Sequence, residues 1–323
     1  MSEAEDPAAT LARLLRTQMR VILGNNALAT VNVSSEYPNS YALKAGDGQV
    51  TVALAESSDQ KLDLTGKTRR RTQTLRVNVW ATDASGAEET GQSIRSRIVE
   101  AVNVAIRQNR TKPHETAYTY VGLGPSSRGN KAFSGKTEAA PNANWTELSV
   151  SDYEKLWYSD DNRTQISSSE NGAHAVLLFG FKVESHRGTV KKAVFAFEGY
   201  GSAPNADGVT VKVWNNTATA WQSPSSNQEG QIDAALTLAV TANLADFIDE
   251  DGYIWFLAET NGASDGVTPA VLNCDWASCL VTVNGITYCD IAGYRNLDRY
   301  DVKPPIYRTE FTVKTWLIEN IGV

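Results

Sequence analysis

Three sets of side chains in this sequence have the types and spacing for recognition chemistry. In "GKTRRRT" (Gly66 to Thr72), Lys67, Arg69, Arg70 and Arg71 put four cations within five residues. Such density suits an acidic protein surface or nucleic-acid phosphates. Four cations on one loop are too few to define a nucleic-acid binder, so contact with a protein is the favoured functional reading, beside the plain one of a solvated hairpin tip. Trp157, Tyr158, Trp214 and Trp221 offer aromatic faces on which a sugar ring can stack; the plain reading makes them core or rim packing. In "DEDG", Asp249 and Asp251 are hard oxygen donors for Ca²⁺, as are Asp160 and Asp161 elsewhere, and the plain reading of "DEDG" is an acidic turn. The DxDxDG spacing of an EF-hand loop is absent.

Nothing in the sequence assembles a catalytic set. The three histidines (His114, His174, His186) lack the spacing of a zinc site. No Gly-rich phosphate cradle and no ordered Ser/His/Asp set stands out. The expectation is a protein that is not an enzyme and takes no cofactor beyond a candidate Ca²⁺. Cys274, Cys279 and Cys289 do not make a disulfide framework. Cys274 and Cys279 can pair and leave Cys289 over, or all three are small buried hydrophobes.

These residues need elements to position them. Asp6 and Pro7 open a helix in which Leu11, Leu14, Leu15, Met19 and Ile22 recur at helical spacing, with Gly24-Asn25-Asn26 as its stop. "QVTVALAES" (Gln49 to Ser57) alternates as a half-buried strand, and "TLRVNVWATD" (Thr74 to Asp83) pairs with it through a long basic tip. Ser85-Gly86-Ala87-Glu88 has the form of a capping box before a helix carrying Ile94, Ile98, Val102 and Ile106. Residues 124–144 read as a Gly/Pro/Ser/Asn-rich linker. About eight short strand-like runs follow, from "TELSV" to "CLVTVNG", with turn residues between them, which is the pattern of an all-β sandwich. The closing "PPIYRTEFTVKTWLI" puts Phe311, Val313, Thr315 and Leu317 on one face of a final strand.

At 323 residues the chain is long enough for two domains, and its 41% hydrophobic and 21% charged residues mark an ordinary globular protein. No apolar run approaches a membrane span. The acidic opening "MSEAEDPAAT" is not a secretory signal, so maturation in the cytoplasm is expected. Charge divides the chain. Residues 1–139 carry 18 Lys/Arg against 14 Asp/Glu, whereas residues 140–285 carry 7 against 18. The economical organisation is an insertion. An α+β domain (1–139 and 286–323), built of helices and an antiparallel sheet, is interrupted by an all-β sandwich (140–285). The final strand completes the first domain's sheet.

The order helix, hairpin "QVTVALAES … TLRVNVWATD", helix and terminal strand resembles the tail-terminator, or tail-completion, proteins of long-tailed phages and archaeal tailed viruses. The likeness covers roughly residues 8–123 and 286–323. It implies a structural protein of the virion, assembled in the host cytoplasm as a ring of about six copies at the neck. Such a ring stops polymerisation of the tail tube and performs head–tail joining. Its partners would be itself, the tail tube protein, the head–tail connector and the genomic DNA passing through its channel. Separately, "LLFGFKV … VKVWNNTATAWQ … GYIWFLAET" resembles jelly-roll modules of the galactose-binding or carbohydrate-binding kind. That implies an outward-facing module with a host-surface glycan as candidate ligand. A carbohydrate-binding adhesin, or another structural protein of the neck, tail or baseplate, is the alternative.

Overall fold

The structure, a computed structural model, describes residues 3–23, 31–35, 43, 48–63, 67–84 and 89–320. In chain order its elements are α1 (Pro7–Leu23), β1 (Asn32–Ser34), β2 (Gly48–Lys61), β3 (Thr68–Thr82), α2 (Gly91–Gln108), β4 (Glu115–Tyr118), β5 (Lys131–Gly135), β6 (Thr146–Glu147), α3 (Val150–Lys155), β7 (Thr164–Ser168) and β8 (Val176–Lys182). These are followed by β9 (Val190–Ser202), β10 (Val209–Asn215), β11 (Ala220–Ser226), β12 (Ala234–Val240), β13 (Tyr253–Thr260), β14 (Ala270–Val283), β15 (Tyr288–Asn296) and β16 (Ile306–Asn320). The protein is mostly β-sheet with few helices. Among the described residues no helix is long and apolar enough to cross a membrane. The chain divides into two compact units: Met1–Thr116 with Val283–Val323, and Ala117–Thr282.

Unit 1 is a five-stranded sheet in the order β1-β2-β3-β16-β15. Helix α1 starts where its sequence says: the Asp6 carboxylate accepts the Ala9 N–H (2.9 Å), which satisfies an orphan donor of the first turn, and Pro7 takes the first helical position. Helix α2 is capped by the Thr90 hydroxyl, which accepts the Ser93 N–H. The expected capping box Ser85–Glu88 and the stop Gly24–Asn26 lie outside the described residues. Ile94, Ile98, Val102 and Ile106 of α2 are buried with Leu11, Leu14 and Leu15 of α1, against Val50, Val52, Leu75, Val77 and Val79 of the sheet. Strand β16 pairs antiparallel with β3 from Ile306↔Thr82 to Asn320↔Thr68 and buries Phe311, Val313 and Leu317. Each such side chain contributes about 1.5–3 kcal/mol of apolar burial. Strand β16 therefore sits inside the sheet, and β15, the first strand after the insertion, forms its rim.

Unit 2 stacks two antiparallel sheets. Strands β7 to β14 pair as β7-β14-β9-β12 in one and β8-β13-β10-β11 in the other; β4 extends the first, β5 and β6 the second. Aromatic side chains fill the space between the sheets. Phe195 of β9 stacks on Phe256 of β13 with centroids 4.6 Å apart, and Phe179, Phe181 and Tyr120 pack around them. β4 and β14, which carry the chain out of unit 1 and back, are neighbours in one sheet, so the insertion asks little of its host.

Several expectations need correction. The first boundary falls after Thr116, not at residue 139, and the second at 282/283 rather than 285/286. Residues 117–139 hold Arg128, Lys131 and Lys136 against Glu138 alone, so a boundary drawn by charge comes late. The linker expected over 124–144 contains β5, which pairs with β8 and β6. "TELSV" forms only the two-residue β6 and then enters α3, capped by Ser149. β11 carries Pro224 and three serines, which weaken its strand pattern in the sequence; as an edge strand it tolerates the proline. Cys274 and Cys279 are both free and buried on β14. Five residues along one strand separate their Cα atoms by roughly 16 Å, far beyond disulfide reach.

Candidate functional site

Arg69, Arg70 and Arg71 do not form a hairpin tip. They lie in β3, laddered to Lys61, Gln60 and Asp59 of β2 on one side and to β16 on the other. Alternation sends Arg70 to the sheet face away from the helices and Arg69 and Arg71 to the opposite face. Arg71 pairs with Asp59 at 2.9 Å, and the Arg70 guanidinium lies 4.6 Å from the Trp316 ring centroid. Of the four expected cations only Lys67 is exposed in the turn, where the Asp63 carboxylate accepts the Lys67 and Thr68 N–H groups.

The face of this sheet that carries no helix holds a larger charged network. The Glu310 carboxylate, 5% exposed, takes Arg76 (2.6 Å), Arg295 (2.9 Å) and Arg308 (2.9 Å). Arg308 also donates to the Asn78 side-chain oxygen and lies over Trp80, 4.6 Å from its centroid. Burial pushes the Glu310 carboxyl up, but the Arg295 hydrogen bond and the charges of Arg76, Arg295 and Arg308 more than offset it and hold it below its ordinary value. Further along the same face Tyr288 stacks on Trp316 at 3.7 Å. The sequence hint was there: Arg76, Asn78 and Trp80 alternate away from the apolar face of β3. Only the register of β16, which sets Glu310 opposite Asn78, shows what they meet.

In unit 2 the four aromatic candidates separate. Trp157 donates its indole N–H to the Leu123 carbonyl (3.3 Å), and Tyr158 beside it is exposed. Trp214 and Trp221 face each other across β10 and β11, edge to face at 5.2 Å. Trp221 donates to the Ala139 carbonyl (3.0 Å) and Trp145 to the Ala140 carbonyl (2.9 Å). Two indoles thus tether the segment around Ala139–Pro141, part of the supposed linker. Trp255 lies flat on β8: a Cβ on Gly180 would stand 2.5 Å from its ring, so glycine is what lets the indole seat there.

Trp214 and Trp255 each stand one residue past the Val213↔Phe256 pair, and they line one cleft of about 420 Å³ with Pro141, Asn142, Asn216, Thr219, Asp249 and Asp251. The cleft joins Trp214 with the two candidate Ca²⁺ ligands and leaves out Trp157, Tyr158 and Trp221. Its geometry does not favour a cation. The Asp249 carboxylate is turned onto the Tyr253 N–H and the Trp255 indole N–H, both at 2.8 Å, and the Lys182 ammonium sits against the Asp251 carbonyl. Among the described residues no group of three His, Cys, Asp or Glu could hold a metal. Asp249 is an acidic turn residue that holds Trp255 in place. The Asn216 amide nitrogen is buried at this site without a hydrogen-bond partner. Trp255, the missed member, sits in the nearly unbroken apolar run "YIWFLA", which hides its outward direction.

A family model described as "Uncharacterized protein, C-terminal domain" matches residues 128–283, most of unit 2. No curated protein matches the chain.

Proposed function

We propose that this chain is a structural virion protein. It forms a ring at the head-proximal end of a tail tube, ends tube growth, joins the tail to the neck, and carries unit 2 as an outward-facing jelly-roll module. The carrying observation is the return of β16, after the insertion, to an interior position between β3 and β15 in a five-stranded sheet covered by two helices. That is the arrangement the tail-terminator resemblance implies. Two further features support assembly. Among the described residues the sheet ends in two unlike edges, the exposed distal half of β2 and the outer side of β15. Unlike edges suit head-to-tail contacts, the kind from which a ring is built when the rotation between copies closes. The helix-free face, with Arg70, Arg76, Arg295, Arg308 and Lys314, offers cations to an acidic tube rim, a connector or DNA, alongside Lys67. Ring symmetry then multiplies each weak contact.

For unit 2, the strand orders β7-β14-β9-β12 and β8-β13-β10-β11 are those of an eight-stranded jelly roll. Its 10 Lys/Arg against 19 Asp/Glu suit the outside of a particle better than a channel for DNA. A second reading is an adhesin in which unit 2 does the work, and the Trp214/Trp255 cleft favours it. Light scattering and negative-stain imaging of the purified chain test the first reading. Closed rings of about six copies are expected; a monomer at every concentration contradicts it.

A further inference from the structure

We infer that the cleft floored by Trp214 and Trp255 binds the ring of a neutral sugar. This specifies the ligand of the adhesin reading, and it holds whether or not unit 1 forms rings.

The floor is aromatic and fixed. The Trp255 ring lies on Gly180, stacks on Tyr253 (5.1 Å) and is tied to Asp249 through its indole nitrogen. Trp214 is held edge to face by Trp221, whose own nitrogen is tied to the Ala139 carbonyl. Rigid indoles present apolar area at little entropic cost, and the C–H face of a pyranose matches it. The walls are polar: the Asn142 and Asn216 amides, the Thr219 hydroxyl and the Asp251 carboxylate supply both donors and acceptors, as a ring bearing hydroxyls requires. Asn216 belongs to the same wall. Its side chain lines the cleft beside Thr219, on the stretch that follows Trp214.

Charge narrows the class. Asp249 and Asp251 both line the cleft, so a sialylated or sulfated sugar would meet repulsion. Both oxygens of Asp249 are already occupied, which leaves Asp251 as the carboxylate free to accept from hydroxyls. A volume of about 420 Å³ is within the usual range of small-ligand sites.

The test uses the whole protein on an array of glucose, galactose, mannose, N-acetylglucosamine, their β-linked oligomers and sialylated counterparts. Tryptophan fluorescence titration with the strongest neutral sugar follows. Neutral sugars should bind and sialylated ones should not. Trp214→Ala should weaken binding about tenfold or more, and Trp157→Ala should leave it unchanged. Because Trp255→Ala can unseat the fold around Gly180, Asn216→Ala and Asp251→Arg serve as the second pair; each should weaken binding with an unaltered circular dichroism spectrum. Absence of binding to every neutral sugar, retention of full affinity in these variants, or preference for sialylated sugars would overturn the inference.

Discussion

In unit 1 the sheet face away from the core is tiled with charge: Glu310 among three arginines, Arg308 over Trp80, Arg70 over Trp316. In unit 2 the outer face of the six-stranded sheet is tiled with indoles, and the nitrogens of Trp255, Trp221 and Trp145 are tied to Asp249 and to the Ala139 and Ala140 carbonyls. Each sheet buries its other face in an apolar core, so the contrast belongs to the outward faces alone. A broad array of guanidinium groups held in register suits a large polar partner, in which many weak contacts add up. Two fixed indoles beside a cleft suit one small ring.

The largest expected effect breaks the two regions apart. Phe311→Ala in unit 1 and Phe256→Ala in unit 2 each remove a fully buried ring and should cost about 3–5 kcal/mol. Scanning calorimetry should show each variant lowering one transition and sparing the other. A single shared transition displaced by both would mean the units do not melt separately.

Next comes the charged face. Glu310→Gln should destabilise unit 1 by about 2 kcal/mol, because hydrogen bonds to a charged group are lost. The folded pKa of Glu310 lies below its ordinary value, so its stabilising contribution is complete above about pH 4.3. That contribution disappears as pH falls through the lower folded value. Denaturant titrations from pH 6 to pH 2 should therefore show a larger stability loss in the wild type than in the variant, which keeps only the losses from other paired carboxylates such as Asp59 and Asp301. Parallel curves would remove Glu310 from the account.

On the indole side, Trp221→Phe keeps an aromatic ring against Trp214 and deletes the donor to the Ala139 carbonyl, whose loss costs about 1 kcal/mol. Limited proteolysis should then cut near Ala139–Asn142 sooner than in the wild type. The smallest effect is expected at Arg71→Ala. Its pair with Asp59 is about one-third exposed on both sides, so unit 1 should lose less than about 1 kcal/mol. A larger loss at Arg71 than at Glu310 would invert the reading of that sheet.

What was legible in the sequence follows from where an element has one buried face. Phe311, Val313, Thr315 and Leu317 alternate because β16 is covered on one side, and the period of α2 shows for the same reason. The distal parts of β2 and β3 have no such cover: Glu56–Lys61 are all exposed, so Arg69–Arg71 read as a loop although they are laddered on both sides. Of the cleft, Trp214, Asp249 and Asp251 were recognisable by type alone. Their grouping depends on the register of β10 against β13 and on a glycine in β8, neither of which leaves a local pattern.

On the proposed function, unit 1 alone carries assembly. Replacing Ala117–Thr282 by a short Gly/Ser linker tests it most directly, since β4 and β14 leave and re-enter as neighbours. Negative-stain imaging should show the shortened protein forming closed rings with the same number of copies as the full chain. A soluble, folded, strictly monomeric product beside a ring-forming full chain would contradict the claim and place the assembly contacts in unit 2.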